Sequence, residues 1–291
     1  MITYDVAASI VTFKNDKNVL EKAIYSFLKA DLRKILYVID NSPTDELRGV
    51  CARDNVEYIF AGHNTGFGAG HNIAIKKMIG RSKYFLILNP DIYFNEGTLE
   101  TLFGFMRDNE DVGLVMPKVL YPDTSLQYLC RLLPSPYDML LRKMDFKILN
   151  SLFSARKDRY ELKFADYNKS MDVPYLSGCF MFVRTEVFEK VGLFDERFFM
   201  YFEDVDLSRR IHRTFRTTYY PEAVVYHEYE KGSSKNIELL KYHISSGIKY
   251  FNKWGWFRDL ERAFINDKVL DGVVLKPINT ECAISERTSR G

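Results

Sequence analysis

The sequence predicts an α/β protein built on a mostly parallel central sheet flanked by helices. Two observations carry this: through the first half, short apolar runs alternate with stretches of helical spacing, and each run ends in a polar or glycine-rich segment. Strands covered by helices on both faces read as continuous apolar runs, which is the pattern here.

The first run, "VAASIVTF" (6–13), reads as a strand. In 18–28, Val19, Leu20, Ala23, Ile24, Phe27 and Leu28 fall at helical spacing. The unit repeats with "ILYVID" (35–40) and a helix from Thr44, "VEYIFA" (56–61) and a helix from Gly68, then "YFLIL" (84–88) and a helix from Thr98. A further strand, "GLVMPKVLY" (113–121), follows. Over about 122–172, which holds Pro122, Pro134 and Pro136, the alternation lapses, as expected of an insertion covering the sheet edge or the acceptor side. Order returns with a strand over 175–183, a helix over 184–191, a helix from Glu203 and short strands at 217–219 and 223–226 that lead to His227. From Ile237 a helical pattern runs into "KWGWFRDLERAF", and a polar tail expected to be loosely ordered ends the chain. The expected organisation is one main domain, 1–235, with a C-terminal helical extension and tail, 236–291.

Bulk composition narrows the function. With 41 Lys and Arg against 39 Asp and Glu, the chain lacks the basic excess that a nucleic-acid partner usually demands. Cys51, Cys130, Cys179 and Cys282 form no CxxC pair, which argues against a zinc knuckle or a disulfide framework. The N-terminus has no signal-peptide pattern, and no apolar run approaches a membrane span, so a cytoplasmic protein is expected.

In open parallel sheets ligands bind beyond the carboxyl ends of the strands, so the candidate residues lie there. Asp40 ends the second strand and reads as an unpaired carboxylate suited to recognising a base or ribose. Ser42 and Thr44 read more simply as helix caps. In "HNTGFGAGHN" (63–72) the glycines stand at 66, 68 and 70, which is not the dinucleotide frame; they suit a turn whose N–H groups approach an anion. In "LNPDIYF" proline holds Asn89 extended and aims Asp91 out of the strand end. One carboxylate suffices for an Mg²⁺-type site when phosphate oxygens complete the shell. Glu203 and Asp204 follow an aromatic run, Phe198 to Phe202, and an apolar wall raises carboxylate basicity as a general base requires. A solvated helix with acids first and Arg209, Arg210 and Arg213 last is the simpler alternative. His227 at a strand end is a ligand candidate if Asp91 lies near.

Taken in order, "SIVTFKN" with "DNSP", "NTGFGAGHN", "LNPDIYF" and "SGCFMFVRTEVFEKVGLFDERFFMYFEDVDLSRR" followed by "VVYHEY" resemble the family 2 glycosyltransferases of GT-A fold. The resemblance covers about residues 4–255 and is nearest to rhamnosyltransferase-like members of bacterial O-antigen and surface-polysaccharide synthesis. It implies that Thr12, Phe13 and Asp40 line the nucleoside pocket of a nucleotide-sugar donor and that Asn64, Gly66, Phe67, Gly68 and Gly70 lie along it. Asn89 would take the place of the first acid of the family's DxD and Asp91 that of the metal-binding acid for Mg²⁺ or Mn²⁺. Asp204 would be the general base with Glu203 orienting it, and His227 a further metal ligand. An acid is commoner where Asn89 stands, which bears on how tightly the metal is held. The implied reaction is inverting transfer, from dTDP-β-L-rhamnose or alternatively a UDP-hexose or UDP-furanose, to a polyprenyl-diphosphate-linked saccharide. A nucleotidyltransferase on a related sheet and a non-catalytic binding subunit of the same fold are the remaining alternatives. For "KYFNKWGWFRDLERAF" (249–264), an interfacial helix making peripheral contact with the inner membrane face stands level with a core-packing or homodimer-forming helix.

Overall fold

Strand β1 (Tyr4–Thr12) lies between β2 (Lys34–Asp40) and β4 (Ser82–Leu88), parallel to both, and β3 (Val56–Phe60) continues the sheet beyond β2. In this computed structural model, which describes residues 2–143, 150–228 and 237–273, the far half holds β10 (Phe180–Arg184), β6 (Val112–Leu120), β11 (Arg216–His227) and β5 (Ile92–Phe94). The order is β3-β2-β1-β4-β10-β6-β11-β5, with β8 (Met171–Asp172) paired to β11. β3, β2, β1 and β4 are mutually parallel, as are β6 and β11, while β10, β5 and β8 run antiparallel to their neighbours. The chain leaves β1 outward through β2 and β3, then returns to its other side at β4. That reversal opens a crevice at the carboxyl ends of β1 and β4, where Phe13 and Asn89–Asp91 emerge.

Helices cover both faces. Alternate residues of β1 divide between them: Val6, Ala8 and Ile10 pack with α1 (Lys17–Leu28) and α3 (Thr98–Asp108), whereas Ala7 faces α2 (Phe67–Met78), α6 (Val187–Val191) and α7 (Glu203–His212). The start of α1 is set by Asp16, whose carboxylate accepts from the N–H groups of Asn18 and Val19. A third apolar cluster joins Phe198, Phe202 and Val205 to Tyr250 and Phe251 of α8 (Ile237–Trp254) and Ile265 of α9 (Leu260–Gly272). The C-terminal extension is therefore packed against the segment that opens α7.

Several expectations are corrected. No helix forms from Thr44: residues 46–51 make successive turns instead, with Gly49, a poor helix former, among them. The strands at 217–219 and 223–226 are one strand, β11, whose register against β6 slips between Tyr220 and Val224, where Pro221 has no N–H to give. The strand over 175–183 is interrupted: β9 (Tyr175–Leu176) pairs with β7 (Cys130–Arg131), and β10 starts only at Phe180. Among its described residues the insertion holds two helices, α4 (Pro136–Lys143) and α5 (Asn150–Tyr160), and its Leu162, Ala165 and Tyr167 are buried in the main core. The helix over 249–264 breaks at Gly255, whose φ is +105°. The expected domain boundary at 235–236, the tail from 274 and Cys282 lie outside the described residues; Cys51, Cys130 and Cys179 are free and buried. Among the described residues no helix is long and apolar enough to cross a membrane.

Candidate active site

At the carboxyl end of β2, Asp40 is fully buried and is not the unpaired carboxylate the sequence suggests. Its Oδ1 accepts from Thr12 Oγ1 at 3.2 Å and the Ser42 N–H at 2.9 Å, and its Oδ2 from Tyr58 Oη at 2.6 Å. Of about four acceptor positions on a carboxylate, three are taken by protein donors, so Asp40 fixes the ends of β1 and β2. Thr12 is buried with it, while Phe13 is 47% exposed, an aromatic face open to stacking. Beside them an open pocket of about 270 Å³ is lined in part by Lys14, Asn15, Ser42, Pro43 and Thr44. Ser42 Oγ accepts from the Lys14 N–H at 2.8 Å, a loop contact in place of the helix cap.

The glycine-rich stretch opens α2, as its position predicts. Its glycines, however, meet protein. Gly66 has φ +89°, and a Cβ there would collide with the Phe199 carbonyl oxygen, which accepts from the Phe67 N–H at 3.0 Å. Gly68 is pressed on Phe194 and Gly70 on Val11 in the same way. Asn72, one turn on, exchanges hydrogen bonds with the backbone of Phe194 at 2.9 and 3.0 Å. The stretch thus clamps α2 to the segment leading to α7. Asn64 closes its mouth, its Oδ1 accepting from the Gly66 N–H at 3.0 Å.

Asp91 and His227 are brought together by the pairing of β5 with β11, which sets His227 opposite Ile92. His227 Nε2 stands 3.3 Å from Asp91 Oδ1. Gln127, which the sequence reading missed, decides what that contact is. Its Nε2 donates to the backbone carbonyls of His227 (3.0 Å) and Leu120 (3.4 Å), so its Oε1 must face the 3.0 Å contact with His227 Nδ1 as an acceptor. Nδ1 therefore carries the proton, and in the neutral ring Nε2 turns a lone pair toward Asp91 Oδ1, a buried oxygen with no hydrogen bond. Two lone pairs face to face call for a positive charge between or upon them. Asn89 lies in the same turn, its N–H donating to the Cys179 carbonyl at 2.9 Å.

Asp204 is the partly exposed member of the acidic pair. Its Oδ2 accepts from Tyr175 Oη and from the Gly178 N–H, each at 3.0 Å, and its Oδ1 from the Val205 N–H at 2.9 Å. Arg131 Nη1 donates to Tyr175 Oη at 3.2 Å, so an arginine, a tyrosine and a backbone amide set the plane of this carboxylate. Glycine is required at 178, because a Cβ there would stand 2.9 Å from Asp204 Cβ. Arg131 and Tyr175 are flagged by no local motif, and Gly178, which stands in the quoted "SGCF" segment, shows its part only in space.

The aromatic wall acts on the other acid. Glu203 is buried, and desolvation, followed by the charge of Asp204, pushes its pKa well above the ordinary 4.5. Its native state holds the proton more tightly than the unfolded chain does. That contribution is complete below pH 4.5 and is lost as pH rises toward the elevated value. Glu203→Gln, isosteric with the protonated acid, is expected to raise the melting temperature at pH 8 relative to wild type and to have little effect at pH 4, measured by thermal unfolding across pH.

The turn before these acids is strained, for Tyr201 and Phe202 are both left-handed, at φ +69° and +68°. Each such residue costs about 1–2 kcal/mol, and α8 holds them in place. Ser246 Oγ donates to the Met200 carbonyl at 2.8 Å, and Phe202 packs on Tyr250 and Phe251. Nor is α7 a solvated helix: Arg209 is buried against Asp259 and Glu261, and Asp206 against Arg210 and Lys253.

The family model described as "Glycosyl transferase family 2" matches residues 9–192. The chain is a family 2 glycosyltransferase. The match takes in the turns after β1, β2 and β4 and stops short of Asp204 and His227. The chain is 26% identical, over 72% of its length and 62% of the relative's, to a low-salt glycan biosynthesis hexosyltransferase of Haloferax volcanii. It thus spans less than two thirds of that protein. To an N-acetylglucosaminyl-diphospho-decaprenol L-rhamnosyltransferase of Mycobacterium tuberculosis it is 28% identical, with 82% of each chain covered. The family 2 glycosyltransferase has the GT-A fold: 99% of it superposes on 58% of GalNAc-T7, solved with UDP, GalNAc and Mn²⁺, with a TM-score of 0.60 at 13% identity.

Proposed function

We propose that the protein is an inverting glycosyltransferase that moves a hexose, L-rhamnose from dTDP-β-L-rhamnose, onto a lipid-linked saccharide during cell-surface polysaccharide assembly. One observation carries the proposal. The tripeptide Ser177–Gly178–Cys179 touches both halves of the chemistry, donating from Gly178 to Asp204 and accepting at Cys179 from Asn89 of the donor turn. A base and a donor-binding turn are thereby fixed to one short piece of backbone.

Among the described residues no group of three or more His, Cys, Asp or Glu side chains converges as a metal site. Asp91 and His227 nevertheless suit a divalent cation that takes its other ligands from donor phosphates and water, with Gln127 holding His227 in the ligating tautomer. Such an ion supplies Lewis-acid stabilisation of the departing diphosphate. Phe13 and Asp40 hold the nucleoside at the ends of β1 and β2. Asp204 takes the proton of the acceptor hydroxyl as that oxygen bonds to the anomeric carbon and the bond to the nucleoside diphosphate breaks. A single displacement inverts the centre and yields an α-L-rhamnoside. The rhamnosyl donor and the lipid-diphosphate acceptor are supported by likeness to the mycobacterial relative, and a cytoplasmic protein peripheral to the inner membrane face goes with that reading.

The test is nucleoside diphosphate release from a panel of nucleotide sugars with a lipid-diphosphate acceptor, in Mn²⁺, Mg²⁺ or EDTA. Turnover is expected to be highest with dTDP-rhamnose and abolished by EDTA, and Asp91→Ala should lower kcat/KM roughly 100-fold. Preference for a UDP-sugar would replace the donor assignment; release from no donor would leave a binding subunit.

A further inference from the structure

Eight of the thirteen large apolar side chains exposed among the described residues fall between 237 and 264. Four of them, Ile237, Leu240, Ile244 and Ile248, recur at spacings of three and four and form one stripe along the outer face of α8. Trp256 continues the stripe past the helix end, its indole N–H donating to Asn252 Oδ1 at 2.8 Å. Beyond it project Phe257, Leu260 and Phe264, exposed by 84, 85 and 69%.

The charge along the middle of this surface is basic, and the acids at its two ends are bonded, Glu238 to Tyr242 and Glu261 to Arg209 and Arg213. From 239 to 258 the sequence holds four basic residues and no acidic one, although the whole chain carries a net charge of only +2. Lys253 is spent internally on Asp195 and Asp206; Lys241, Arg258 and Lys249, which gives one hydrogen bond to the Arg197 carbonyl at 2.7 Å, lie at the surface. Apolar side chains flanked by long basic ones suit the boundary between lipid headgroups and acyl chains. A second copy suits it less well, because an isologous contact would set each basic strip against its twin.

We infer that the outer face of α8 and the start of α9 form the surface by which this transferase seats itself on an anionic phospholipid bilayer. The inner face of α8 packs on Met200 and Phe202, immediately before Glu203 and Asp204. Seating α8 thus fixes the height and tilt of the base above the lipid, where a lipid-linked acceptor presents its hydroxyl. The inference rests on the acceptor reading proposed above, and its test separates the two.

The test is flotation of the full chain with vesicles of phosphatidylcholine, alone or mixed with phosphatidylglycerol, alongside transfer to a water-soluble acceptor glycoside. Wild type should float with the anionic vesicles only and be released by salt. The triple variant Phe257→Ser, Leu260→Ser, Phe264→Ser and the triple variant Lys241→Glu, Lys249→Glu, Arg258→Glu should each lose roughly tenfold or more in partitioning. Both should keep wild-type melting temperatures and soluble-acceptor transfer, since every changed side chain lies outside the catalytic site. Failure of wild type to float, equal flotation with neutral vesicles, or a dimer in sedimentation equilibrium that the serine variant dissolves would each overturn the inference. Flotation without transfer to any acceptor would sustain it and overturn the transferase reading instead.

Discussion

Asp204→Asn is expected to lower kcat for sugar transfer by roughly 10²–10⁴-fold, the span of a lost general base, while donor affinity stays within a fewfold of wild type. The substitution isolates the proton-accepting role because asparagine keeps the shape and one oxygen. That oxygen still accepts from Tyr175 Oη and the Gly178 N–H, so the amide sits where the carboxylate sat. What changes is Oδ1, which becomes an NH₂ group facing the Val205 N–H and can no longer take a proton. Two donors in opposition cost about 1 kcal/mol, small against the rate effect and visible as a modest fall in melting temperature. Initial rates at saturating donor and calorimetric titration of the donor give the two numbers needed. Transfer within tenfold of wild type would remove Asp204 as the base. Weakened donor binding with the residual rate unchanged at saturation would make it a donor contact.

The parts of the fold and of the candidate site that the sequence makes legible are those encoded within one segment. The apolar runs of β1, β2, β4 and β6 announce themselves, and so do Asp91 after Pro90 and Asp204 after its aromatic run. Parts that require two segments were not legible. Gln127 sits in an insertion one hundred residues before the histidine it orients, and nothing around it distinguishes it from a loop glutamine. The pattern over 175–183 reads as one unbroken strand, since the contacts made at its break, Gly178 with Asp204 and Cys179 with Asn89, come from other segments. In the sequence Asp40 reads as open, since its partners, Thr12 and Tyr58, come from neighbouring strands. The glycines at 66, 68 and 70 suggested room for a ligand, whereas each is small because a side chain or carbonyl of another segment lies against it. Left-handed Tyr201 and Phe202 have no local signal at all, since neither residue favours that conformation and α8 imposes it.

That dependence on α8 makes Arg209 the residue whose loss should cost the most stability. It is 1% exposed and forks onto Asp259, with both nitrogen–oxygen distances at 2.7 Å, while Nη2 also reaches Glu261 at 2.7 Å and the guanidinium lies 4.1 Å from the centre of the Trp254 ring. The contacts join α7 to the end of α8 and the start of α9. Burial alone would raise the Asp259 pKa; the Arg209 hydrogen bonds and the Arg262 N–H outweigh it and hold the carboxyl below its ordinary 3.8. Arg209→Ala leaves that carboxylate buried without its fork, and breaking a buried pair in this way costs about 3–5 kcal/mol. Against a typical stability of about 5–15 kcal/mol this is a large share, read as a lower urea midpoint. The pH dependence has a definite sign. A depressed carboxyl pKa stabilises above the unfolded value and is lost as pH falls through the folded one, so the stability gap between Arg209→Ala and wild type should be full at neutral pH and narrow in acid. Arg209→Lys should recover only part of the loss, because an ammonium cannot serve Asp259 and Glu261 with a planar fork while stacking on Trp254. Activity gives the complementary measurement. If α8 and α9 hold the strained turn at Tyr201 and Phe202, Arg209→Ala should lower kcat even at temperatures where the protein is fully folded, since Asp204 follows directly on that turn. An unchanged kcat in the folded variant would mean that the turn keeps its conformation without the ion network, and that α8 packing alone is enough.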